Sequence, residues 1–138
     1  MSEYKKLTPQ GRDCSMFLED RKSLEGKEKQ YVVVPVSAYK VVQDWRKSLF
    51  SYEWLDREGN IKSLTDLKDS DREKREAVEK ALSMGSMLKR PVLGIGINDN
   101  VEIGAGKDVF LTLAANGYDP IPVHIHASNK DLFEGFMI

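Results

Sequence analysis

The sequence predicts an α+β fold, a small mixed sheet with packed helices, an inserted hairpin and helix region, and a C-terminal helix. Three observations carry this expectation. Two runs, 30–36 (QYVVVPV) and 121–126 (IPVHIH), are β-branched and short enough to be strands. A segment from Lys107 carries Val109, Phe110, Leu111, Leu113, Ala114 and Ala115, so it is apolar nearly all round and reads as a buried helix. Between them, 91–97 and 101–103 flank Asn98-Asp99-Asn100, the pattern of two short strands on a tight turn. With 138 residues and 41% hydrophobic content, one core is enough, and a single domain over 1–138 is expected.

In chain order, Leu7-Thr8-Pro9 reads as a helix start, with Thr8 as N-cap and Pro9 in the first turn. Met16, Phe17 and Leu18 would be its apolar face and Gly26 its end, making 1–29 a helical extension. Pro35 assigns the 30–36 strand to an edge or boundary. Ser37 then caps a helix whose Val41, Val42, Trp45 and Leu49 recur at helical spacing, so Trp45 reads as core. Residues 50–64 alternate loosely (Phe50, Tyr52, Trp54, Ile61, Leu64) around a turn in which Gly59 supplies a positive φ, which predicts a hairpin. Ser70 and Glu73 form a capping box for a helix that buries Ala77, Val78, Ala81 and Leu82, exposes its charge run, and ends at Gly85. Gly117 closes the 107–116 helix, Asp119-Pro120 turns the chain, and a Ser128-capped helix lays Leu132, Phe133 and Phe136 on the body.

Charge and cysteine content exclude several classes. The net charge is −1 with 31% charged residues, unlike a protein that holds nucleic acid mainly through phosphates. Only a local patch, Arg46, Lys47, Lys89 and Arg90 gathered by folding, could meet nucleic acid. Cys14 is the one cysteine, so there is no disulfide framework or Cys-rich zinc site, and its expected role is a small semi-buried side chain. No run approaches the ~20 apolar residues that span a bilayer, so a cytoplasmic protein without a membrane partner is expected.

The chemistry-bearing feature is Gly104-Ala105-Gly106-Lys107-Asp108. A buried helix leaves its first N–H groups needing partners, and a glycine-rich start lets them point at an anion. Lys107 would add charge there, whereas Asp108 would compete for the same dipole. The bland alternative is a glycine turn demanded by strand-to-helix packing. His124 and His126 alternate on the last strand and share a side. A metal would need a third ligand such as Glu102 or Asp99, so they are read as surface or supporting histidines, and Asn98, Asp99 and Asn100 as turn formers.

The order of these features, a helix ending in Gly85, Pro91-Val92, a strand pair, Gly106, a helix ending in Gly117, then Ile121-Pro122-Val123, resembles ParB-like domains and sulfiredoxins. The match runs from about Ala77 to Ile125, and 31–37 resembles the family's opening strand. The resemblance implies a turn that grips nucleotide phosphate or supplies a sulfur nucleophile. Here that turn reads Gly106-Lys107-Asp108-Val109. Lys107 stands where sulfiredoxins carry cysteine, so sulfinic-acid reduction lacks its thiol. Val109 replaces an arginine whose planar fork binds phosphate, and Lys107 is only a point charge. Residues 50–75 lie where the relatives are shorter. The expected function is therefore a non-enzymatic binding or regulatory module with a protein partner. It would use the insertion or the turn, with no catalytic residues and no metal. The alternatives are a nucleotide- or phosphate-dependent enzyme using the Gly104–Lys107 turn, with Asp108 or Glu102 as base, and a DNA-binding accessory factor.

Overall fold

The computed structural model describes residues 12–27 and 29–137. In chain order they form β1 (Leu18–Glu19), β2 (Tyr31–Val36), α1 (Ala38–Trp45), α2 (Asp69–Met84), β3 (Leu88–Lys89), β4 (Val92–Ile95), β5 (Val101–Ala105), α3 (Lys107–Ala115), β6 (Ile121–His126) and α4 (Lys130–Phe133). The fold is α+β with a mixed four-stranded sheet in the order β2-β6-β4-β5. β6 runs antiparallel to β2 and parallel to β4, and β4 and β5 are antiparallel. β1 and β3 make a separate two-stranded parallel sheet.

The strands form where the sequence alternates. In β2, Val34 and Val36 point into the core while Val33 and Pro35 are exposed. Within the sheet β2 pairs only with β6, as an edge strand containing proline must, and Pro35 faces Pro122, so both missing N–H groups fall on one rung. Ile121, Val123 and Ile125 of β6 are fully buried against the helices, which turns His124 and His126 toward the opposite face of the sheet.

α3 lies against β6 on one side and α2 and α1 on the others, which is why Val109, Phe110, Leu111, Thr112 and Leu113 are all buried. α1 forms as expected: Ser37 Oγ accepts from Lys40 N at 3.2 Å, and Val41, Val42 and Trp45 are buried. Gly85 and Gly117, with φ of 70° and 82°, end α2 and α3 in the left-handed conformation.

Several expectations are corrected. The Thr8-Pro9 helix start lies outside the described residues, but 12–26 form no α-helix, only the 3-10 turns Ser15–Phe17 and Lys22–Leu24. Asp13 Oδ1 takes the Ser15 N–H and hydroxyl in a local turn, and Leu18–Glu19 is drawn into pairing with Leu88–Lys89. Ser70 does not cap α2. Lys68 holds the cap position without a side-chain bond, and Asp69 and Asp71 favour the helix dipole instead. Val78 is buried, but Ala77 is exposed. α1 ends before Leu49, which is 78% exposed. The 50–64 hairpin is reduced to one bridge, Leu55 to Ile61, because a 3-10 turn over Ser51–Glu53 breaks the alternation and sends Tyr52 outward but Trp54 fully inward. The C-terminal helix is one turn of α4 between two 3-10 turns. Ser128 does not cap it: His126 caps the preceding 3-10 turn, its Nδ1 accepting from Ser128 N at 3.2 Å, and Asn129 holds the cap position of α4 without a side-chain bond. Phe133 is buried and Phe136 partly so, while Leu132 is exposed. No helix among the described residues is long and apolar enough to cross a membrane.

If α3 is the centre of the core, Phe110→Ala should lose roughly 3–5 kcal/mol in denaturant unfolding, because the ring is fully buried. A loss below about 1 kcal/mol would contradict that role.

Candidate functional site

β5 delivers the chain to Gly106, which is the N-cap of α3 at φ 77°. A side chain there would meet Pro91 Cα at 3.1 Å and Arg21 Nη2 at 2.8 Å, so both backbone conformation and close approach demand glycine. No side chain caps the start of α3, and Asp108 lies in its first turn. The Arg21 guanidinium beside Gly106 is anchored by its Nε, which donates to Arg90 O at 2.9 Å. The turn therefore has a forked cation next to it, contributed by a segment far away in sequence. Nothing in the local pattern of 104–109 signals this.

Lys107 is half-buried and its charge acts toward the insertion. The Lys68 ammonium, 2.8 Å from Glu53 Oε2, holds the Glu53 carboxyl below its usual range, and the charges of Lys107 and Lys62 work in the same direction. Glu102, offered by the sequence as base or ligand, is occupied: Ser48 Oγ donates to Oε1 at 2.6 Å and Asn100 Nδ2 to Oε2 at 2.9 Å. Asp99, at φ 62°, sits in the turn after Gly96, and Asn100 is buried behind it. Among the described residues no three metal-binding side chains cluster.

The four basic residues of the sequence patch lie in two groups. Arg46 and Lys47 follow α1, near the Val101 end of β5, where Asp44 Oδ2 accepts from Val101 N at 2.7 Å. Lys89 and Arg90 lie before β4, paired with Glu19 at 2.6 Å and Asp20 at 3.0 Å. β4, whose Val92 pairs with Ala105 and Ile95 with Val101, separates the groups by its length, about 10 Å. Cys14 is fully buried, its thiol pushed up to about 12 by that burial.

Residues 46–62 fall largely within the 50–75 insertion to which the sequence pointed, and they border depressions that the sequence did not locate. A cleft of about 450 Å³ opens between α1, the 59–63 loop and the C-terminal end of α3. Its walls are polar tethers: Arg75 Nη1 donates to Lys62 O at 2.8 Å, and Gln43 Nε2 to Gly59 O at 3.3 Å. Asp119 Oδ1 accepts from Ala38 N at 3.0 Å at the start of α1, and burial raises its pKa. No protein-family model, curated protein or solved structure matches this chain. Beside the cleft lies a groove of about 570 Å³ lined by Arg46, Tyr52, Leu55, Asp56, Arg57 and Lys62. Lys62 borders both. Leu49, Phe50 and Tyr52 stand exposed along this stretch, while Trp54 and Leu55 anchor it in the core.

Gly106→Ala should destabilise by about 1–2 kcal/mol or more, since a left-handed φ and the Pro91 contact must both be strained. A neutral result in chemical denaturation would place the turn's glycine outside the packing argument.

Proposed function

We propose that this chain is a non-enzymatic binding module on a ParB/sulfiredoxin-like scaffold, and that its partner is a protein presenting an extended acidic segment to the surface of residues 46–62. The order helix, Gly85, Pro91, strand pair, Gly106, helix, Gly117, strand supports the scaffold. The observation that carries the function is the pair of adjoining depressions that meet at Lys62 beside exposed Tyr52 and Phe50. An elongated, partly aromatic trough suits a peptide segment better than a compact metabolite. The lining of the two depressions is positive on balance, with Arg46, Arg57, Lys62 and Arg75 against Asp56 and Asp119. Arg57 and Lys62 make no ion pair among the described residues, while Asp56 accepts from Glu58 N and Asn60 N, and Asp119 from Ala38 N. Exposed aromatic groups next to unpaired cations are the composition of binding hot spots.

A second reading rests on Arg21. Its guanidinium beside Gly106 supplies a forked donor next to the uncapped α3 N-terminus, which suits a phosphate or nucleotide at the Gly104–Lys107 turn despite Val109.

One NMR experiment separates them. A short peptide alternating Glu and Phe is expected to shift the amides of residues 46–62 and to bind about tenfold more weakly to Lys62→Glu, whereas the matching Lys and Phe peptide leaves them unmoved. No perturbation of 46–62 would overturn the protein-binding reading. Inorganic phosphate or ATP shifting residues 106–108 would instead establish the second.

A further inference from the structure

The face of the sheet away from the helices is crossed by residues 20–27, a strap with a depression of about 160 Å³ under it. His124, from β6, lines that depression and is only 5% exposed. Its Nε2 is buried without a hydrogen-bond partner among the described residues and lies 3.6 Å from Asp20 Oδ1, too far for a bond. Leaving such an atom unsatisfied costs free energy, so its surroundings merit an explanation.

The strap is held by polar contacts. Arg90 N donates to Glu19 O at 2.8 Å, Arg21 Nε to Arg90 O at 2.9 Å, and Arg90 Nε to Asp20 Oδ1 at 3.0 Å. None of the residues in its 3-10 turn, Lys22–Leu24, is buried. A segment with few buried apolar contacts opens at low cost.

We propose that residues 20–27 are an acid-released latch over the outer face of the sheet, with His124 as the sensor and Asp20 as the group that sets the point of release. Every charged or titratable group facing His124 enters the balance. Asp20, Arg21, Glu25 and Lys27 come from the strap, Tyr31 from β2, and Arg90 from the segment before β4. Burial is the largest influence and disfavours the imidazolium. Asp20 favours it, and Arg90 and Arg21 oppose it. The folded-state pKa therefore lies below the unfolded value, and the stability this histidine contributes is lost as pH falls through that depressed value. Because the strap is the weakest cover over His124, opening it is the least costly way to hydrate the charge. The opened state uncovers Tyr31 and His124 beside the already exposed Val33 on one strand pair.

An NMR titration of the full chain from about pH 7.5 to about pH 4.5 tests this against the ordinary histidine value near 6.5. The expected result is one transition, below the ordinary value, in which the His124 ring and the amides of 21–27 and Tyr31 move together, the strap amides toward unstructured shifts. His124→Gln should abolish the strap's response. Asp20→Asn, which leaves the imidazole in place, should move the transition to higher pH, because it removes both the Arg90 tether of the strap and the one charge that favours the imidazolium under the closed strap. Strap amides that do not respond, that become more ordered in acid, that respond equally in His124→Gln, or a transition that moves downward in Asp20→Asn would each overturn the proposal.

Discussion

The burial of α3 on every side is the constraint from which the rest of the molecule follows. A helix with β6 beneath it and α2 and α1 against it buries every residue from Val109 to Leu113, so that stretch must be apolar nearly all round. Its start has to enter between Pro91 and the strap, which leaves room for no side chain at Gly106. Its end must turn back into β6 at once, which Gly117 allows with a left-handed backbone. The pairing of β6 between β2 and β4 then follows, since the strand that leaves the buried helix is the one at the centre of the sheet.

The proposed binding surface and the proposed latch lie on the two sides of this core. On the helix side, the insertion is fastened by Trp54, Leu55 and Leu67, and its tethers are hydrogen bonds from Arg75 and Gln43. Because those polar groups are committed to holding the loop, Lys62, Arg57 and the neighbouring aromatic rings are left to face solvent. On the other side of the sheet no residue of the strap's 3-10 turn is buried, and the imidazole beneath it lacks a hydrogen-bond partner among the described residues. In the proposed reading one side is the surface for recognition and the other the cover for release.

The parts of the fold legible in the sequence are those where local pattern and tertiary demand agree. The 121–126 strand, the Gly106 and Gly117 boundaries, the Ser37 cap and the core role of Trp45 all belong to that class. The misread parts are those where a distant partner decides. Residues 12–26 carry helix-like spacing, yet pairing with 88–89 and the Asp13 turn prevail. Phe50, Tyr52 and Trp54 alternate as a strand would, but burying Trp54 needs a tight turn instead. The site was legible only in its backbone. The glycine turn could be read from 104–108, whereas Arg21 beside it, the depressions meeting at Lys62 and the His124 strap depend on contacts between segments far apart in sequence. Such contacts leave no local signature.

The claim that α3 organises the molecule is tested most directly by native-state amide hydrogen exchange. The amides of α3 and β6 should exchange only through global unfolding, while those of residues 51–66, held largely by tethers and a few buried side chains, exchange through local openings at lower free energy. Exchange of α3 amides by local opening, as fast as that of residues 51–66, would contradict the account.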